Sequence, residues 1–142
     1  MAAKCKNEYL DLEQELDIEG FRDSVVNYFS AVPDPRKKSN LTYKLEHIFF
    51  ITLSAMLAGA NSISQIATFA EAKSQWVKRL IPLDTIPCYG IFWWTLVRIK
   101  PEFLRQLLCK WLETLPEGLK DQILALDGKC LRGTQDLSLI HI

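Results

Sequence analysis

The segment 42–59 constrains this chain more than any other. It carries Leu45, Ile48, Phe49, Phe50, Ile51, Leu53, Met56 and Leu57, so a helix here is apolar around nearly its whole circumference. A helix of that kind has no face to offer water and belongs at the centre of a helical body. Its longest apolar stretch, 48–60, falls short of the roughly 20 residues that a membrane span needs, so the rest of the chain must bury it. The sequence has 142 residues, 49% of them hydrophobic. That suffices for one packed domain, or one domain and the start of another, and excludes a disordered tail.

Punctuation on both sides of this helix sets the organisation. Residues 1–17 read as an acidic flexible arm, because Leu12 and Leu16 fit a helical stripe poorly among Glu8, Asp11, Glu13, Glu15 and Asp17. The arm has no apolar core and is no secretory leader. From residue 18, Phe21, Val25, Tyr28 and Phe29 recur at helical spacing. Pro33 and Pro35 then break the helix, and the same segment groups Arg36, Lys37 and Lys38. Gly59 suits the C-terminal cap of the central helix, and Ser62-x-x-Gln65 has the pattern of a capping box. The helix that this box opens, with Ile63, Ile66, Phe69 and Ala70 inward, is expected to continue through Trp76 and Leu80. A proline-bounded loop, 82–87, precedes a helix striped by Tyr89, Phe92, Leu96 and Ile99. Another opens at Lys100-Pro101, where proline costs little, and buries Phe103, Leu104, Leu107, Leu108, Trp111 and Leu115.

After residue 118 the expected character changes. Residues 122–126 form a short apolar run bounded by polar residues and read as a buried strand. Asp127-Gly128 would turn it, and Cys130-Leu131 would begin a partner strand. A lone hairpin cannot bury its own faces, so such a unit is expected to continue past the end of this sequence. The fold class expected is mainly α: a helical domain over 18–118, followed at 119–134 by the first strand and turn of a truncated α/β unit.

Candidate chemistry is sparse. Asp127, at the end of the expected strand, is placed to ligate a hard divalent cation, although Asp-Gly is also an ordinary hairpin turn. The whole chain is electrically balanced, with 17 Lys+Arg against 17 Asp+Glu, which excludes a uniformly cationic nucleic-acid binder. The stretch 73–110 is nonetheless locally basic, through Lys73, Lys78, Arg79, Arg98, Lys100, Arg105 and Lys110. Such a stripe meets phosphates if it shares one face, and otherwise only keeps helices soluble. Trp93 flanks the inward stripe and is expected to pack. Trp94 points away from it, one turn before Arg98, where it could stack a base or cover a neighbouring domain. His47 reads as a core histidine. The 4 cysteines and 2 histidines lack the spacing of a zinc site, and scattered single thiols suit a reduced, cytoplasmic protein without a membrane span. Cys88 has no paired base that would make it a nucleophile.

The blocks DPRKKSN-x-x-YKL (34–45), LAGANSISQIATFAEAK-x-x-W (57–76), IP-x-x-x-x-F (86–92) and ILALDGKCLRG (123–133) resemble, in order and spacing, the H-repeat-associated family of bacterial insertion-sequence transposases. The resemblance covers roughly residues 20–134, nearly the whole chain. It implies the N-terminal helical portion of a DDE transposase, leading into an RNase H-like catalytic domain. Asp127 would be the first of three metal-binding acids, with a second Asp and a Glu beyond this sequence. Mg²⁺ or Mn²⁺ would serve the full-length parent as a cation pair, and none is expected to bind this chain tightly or to give it activity alone. The implied partner is DNA at transposon ends, with a homo-oligomer formed by the parent. Lys78, Arg79, Trp94, Arg98, Lys129 and Arg132 are the candidate DNA contacts, Lys129 and Arg132 alternatively pairing with the missing acids. Two departures stand out: Cys88, Tyr89, Gly90 and Ile91 replace the family's Ser-His-Asp-Thr, and residues 135–142 match nothing expected and read as a non-native tail. The competing reading is a stand-alone helical DNA-binding or protein-interaction module without catalysis, in which 62–99 forms a helix-turn-helix-like pair.

Overall fold

The structure, a computed structural model, describes residues 11–34, 36 and 42–133, with side chains described as far as Leu126. Within these residues the secondary structure is helical throughout: α1 (Leu12–Glu15), α2 (Ile18–Ser30), α3 (Leu45–Leu57), α4 (Ile63–Ala72), α5 (Ser74–Leu80), α6 (Tyr89–Val97), α7 (Pro101–Glu113) and α8 (Glu117–Gly133).

Helix α3 is the axis of the fold, as its composition demands. Every residue from Leu45 to Leu57 except Glu46 is buried. It ends where glycine permits it to. Gly59 takes φ 120°, the Gly59 amide donates to Met56 O at 3.1 Å and the Ala60 amide to Ala55 O at 2.8 Å. These are the paired bonds of a Schellman cap, which satisfy carbonyls that the helix end leaves free.

Helix α2 lies along α3, presenting Phe21, Val25 and Phe29 at successive turns. Phe29 stacks on Phe49 with centroids 4.3 Å apart, and Phe21 meets Phe50 at 5.8 Å and the edge of Trp111 in α7 at 5.9 Å. Offset and edge-on ring pairs of this kind add to the area they bury. After α2, Arg36 donates to both Asp34 carboxylate oxygens at 3.0 and 2.8 Å and to Tyr43 O at 2.7 Å. The Tyr43 hydroxyl in turn meets Thr85 Oγ1 at 2.6 Å, joining the residues just before α3 to the loop before α6.

Four expectations need correction. Residues 11–17 are not a flexible arm: α1 forms a short helical turn capped by Asp11, and Leu12 and Leu16 are buried in the core. Those two leucines sit four apart, one helical repeat, which outweighs the acidic surroundings; residues 1–10 lie outside the described residues. The helix after Ser62 breaks at Lys73 (φ −107°, ψ 29°) into α4 and α5. The break swings Trp76 back over the core, where it stacks on Phe50 at 5.9 Å and meets Phe69 edge-on at 6.1 Å. Phe103 is exposed while the rest of the α7 stripe is buried.

The largest correction concerns 119–134. Residues 117–133 form one helix, α8, and no strand occurs among the described residues. Leu119, Ile123 and Leu126 are buried on one side and Leu124 is exposed, which is helical and not alternating spacing. Part of that face packs on α3. A short apolar run fits either conformation by pattern alone, and with no strand to pair with, the helix satisfies its own backbone. The expected hairpin of an RNase H-like fold is therefore not seen, and Asp127 lies within a helix. The 135–142 tail, Lys37 and Lys38 lie outside the described residues.

Candidate nucleic-acid interface

Helix α6 follows Pro87, and Cys88 stands at its N-cap in extended conformation without a side-chain capping bond. Phe92 and Thr95 turn inward and are buried, and α6 packs on α4 and α3. The opposite side carries Tyr89 (49% exposed), Trp93 (39%), Val97 (53%) and Trp94 (54%). Trp93, expected to pack, thus belongs to the outward face. The period of α6 puts Tyr89, Trp93 and Val97 in one row, four residues apart.

This outward face is ordered. Trp93 and Trp94 meet edge-on, centroids 5.4 Å apart and rings at 90°. The Arg98 guanidinium carbon stands 4.5 Å over the Trp94 ring, a cation–π contact. Among the described residues, ion pairs engage Arg22, Arg36 and Arg79, and Arg98 is not among them. From Thr85 to Pro101 the chain carries Arg98 and Lys100 and no carboxylate.

The other candidate residues fare differently. Arg79 spends its charge on Glu13. Lys78 is exposed on α5. Asp127, Lys129 and Arg132 sit on the α8 backbone, and their side chains lie outside the described ones. The segment 62–99 holds three helices, α4, α5 and α6, rather than a simple pair. Among the described residues, no group of three His, Cys, Asp or Glu side chains converges to hold a metal ion.

His47 is buried on α3, and desolvation pulls its pKa below the usual imidazole value, with Glu46 opposing and Lys44 assisting. It behaves as the core histidine expected. A cleft of about 440 Å³ between α4 and the start of α6 is lined by Ser64, Thr68, Glu71, Pro87, Cys88 and Tyr89. Tyr89, expected on the inward stripe with Phe92, is exposed instead, and Val97 carries no expectation from the sequence. Their spacing with Trp93 was the available signal, hidden because the inward side of α6 is equally apolar.

Residues 26–112 match a family model described as DDE_Tnp_1-associated. The chain belongs to the DDE_Tnp_1-associated family. The match runs from the middle of α2 to the last turns of α7 and includes the whole aromatic face of α6. Curated relatives agree with it. The chain is similar to "Putative transposase YncI" of Escherichia coli O157:H7, 29% identical over 80% of this chain and 29% of the relative. It resembles the protein of the same name in strain K12 equally, over 46% of that relative. It is also 24% identical to "H repeat-associated putative transposase YhhI" of strain K12, over 80% of this chain and 30% of the relative. The resemblance to the H-repeat-associated family, in its N-terminal portion, is thereby borne out. The chain spans 29% to 46% of the length of these relatives. No solved structure matches it. No helix among the described residues is long and apolar enough to cross a membrane.

Proposed function

We propose that this DDE_Tnp_1-associated chain is the N-terminal portion of a DDE transposase and acts in DNA transposition by holding transposon-end DNA and supporting the catalytic domain. The observation that carries the reading is the family match over 26–112, shared with relatives named as transposases. The exposed Trp94–Arg98 pair and the carboxylate-free stretch around it support a DNA-facing role for α6. In the longer protein, Asp127 would join two further acids to hold Mg²⁺ or Mn²⁺ for strand cleavage and transfer, and the parent would assemble as a homo-oligomer. The chain by itself supplies one of the three acids and cleaves no DNA.

Binding of transposon-end duplex by the purified chain, compared at low and moderate salt, tests the proposal. Salt-sensitive binding weakened by Arg98→Ala and by Lys78→Ala is expected. Binding no better than non-specific, and indifferent to both changes, overturns the DNA-holding role. Metal-dependent cleavage by the chain alone, abolished by Asp127→Asn, overturns the assignment of catalysis to the longer protein. A second reading, a protein-interaction module without DNA affinity, is favoured by the exposure of Tyr89, Trp93 and Val97; it predicts self-association of the isolated chain.

A further inference from the structure

Helix α6 is apolar on the inward and the outward side alike, and a helix apolar all round is ordinarily covered on both. What covers the outward side must match its chemistry. That side offers two indoles held at right angles to one another, one of them backed by a guanidinium. Arg98 and Lys100 lie at its C-terminal end without a carboxylate between Thr85 and Pro101. Fixed flat rings accept other flat rings, and cations without acidic partners accept anions. A nucleotide supplies both in one unit. In a duplex the base faces are already occupied by neighbouring bases, so only an unpaired nucleotide can offer a face to an indole.

We infer that the Trp93–Trp94–Arg98 cluster on α6 binds unpaired nucleotides of single-stranded DNA. Trp94 stacks a base, and Arg98 and Lys100 neutralise the adjoining phosphates. Trp93, set edge-on, and Arg98, set over the ring, hold the Trp94 indole in place before the strand arrives, so little ordering remains to be done on binding. This rests on the proposed DNA-holding role and narrows it to the strand state of the DNA that this face meets.

The test is fluorescence anisotropy of the 142-residue chain with a labelled single strand and with the same sequence as a duplex. A strand of about 15 nucleotides covers a binding site of this kind. The single strand is expected to bind more tightly. Trp94→Leu should weaken single-strand binding roughly tenfold, the loss of one stacked base, while duplex binding holds. Trp94→Phe keeps a ring and should retain most of the affinity. Since Trp94 is exposed, both variants should melt like the parent chain, which circular dichroism verifies. Duplex bound as tightly as single strand, or single-strand binding unmoved by Trp94→Leu, overturns the inference. Self-association abolished by Trp94→Leu, without strand binding, also overturns it and makes the face a protein contact. Single-strand binding that ignores Trp94→Leu, beside duplex binding that falls with Arg98→Ala, removes this inference alone and leaves the DNA-holding role standing.

Discussion

Cys88 occupies a position that asks for an oxygen. It is the N-cap of α6 and makes no side-chain capping bond, whereas Asp17 caps α2 and Ser62 caps α4 by accepting backbone amides. A thiol is a weak acceptor, and an N-cap hydroxyl is worth about 1 kcal/mol over a residue that cannot cap. Cys88→Ser should therefore stabilise the chain by about that amount, read as a raised urea midpoint at unchanged slope. His47 yields a pH prediction. Burial lowers its folded pKa beneath the ordinary value of 6.5, so between the two values the unfolded chain binds more protons. Its contribution is fully present above the unfolded pKa and is lost as pH falls through 6.5 towards the folded value. Asp34, whose hydrogen bonds from Arg36 lower its carboxyl below 3.8, loses its contribution only in more acidic solution. Denaturation of the parent chain and of His47→Gln at pH 7.5 and 5.5 separates the two residues (solution conditions chosen about one unit either side of 6.5). The parent should lose stability between these values, and the variant should lose less.

At the scale of elements, legibility depended on whether a segment had one apolar face or two. Phe21, Val25 and Phe29 mark one stripe, and α2 was readable from them. The Ser62–Gln65 pattern and Gly59 were equally plain, because each solves a local hydrogen-bonding problem: Gln65 N donates to Ser62 Oγ at 3.1 Å, and Asn61 N to Gln65 Oε1 at 2.7 Å. The α4–α5 break was not readable, since no proline or glycine stands at Lys73-Ser74; what accompanies it is Trp76 packing on Phe50 and Phe69. Of the outward face of α6 only Trp94 was readable, and Tyr89, Trp93 and Val97 were not, because both sides of the helix are apolar. Helix α8 was misread because the run 123–126 suits two periodicities, and only Leu119, one turn earlier, decides between them. That choice can be checked by substitution. In a helix Leu119, Ile123 and Leu126 act together; in a strand Ile123 and Leu126 would face opposite ways. Ile123→Ala and Leu126→Ala should each cost about 2–5 kcal/mol, and Leu124→Ala, at an exposed site, should stay within about 0.5 kcal/mol of the parent. A small cost at either Ile123 or Leu126 would contradict the helical packing.

For the molecule as a whole, zero formal net charge means that no general field draws it to DNA, so any affinity must come from a few placed cations. Several are already committed: Arg22 to Asp23, Arg36 to Asp34, and Arg79 to Glu13. Around α6 only Arg98 and Lys100 lie in the carboxylate-free stretch. The candidate site was thus legible in its residues, Trp94 and Arg98 one turn apart, but not in its extent, because local charge in sequence does not reveal which arginines have partners. This count fixes how binding must respond to salt. Each phosphate neutralised lowers the logarithm of the binding constant by about 0.9 per decade of salt on duplex and about 0.7 on single strands. These two contacts give slopes of about −2 and about −1.4 respectively, to which Lys78 on α5 adds at most one more contact. Titrations of the chain with labelled DNA across a series of salt concentrations measure the slope directly. Arg98→Ala should reduce its magnitude by nearly one unit on duplex, whereas Arg79→Ala, which removes a guanidinium already engaged by Glu13, should leave it unchanged. A slope several-fold steeper than about −2, or one that falls with Arg79→Ala and ignores Arg98→Ala, would move the DNA-facing surface from α6 to another part of the molecule.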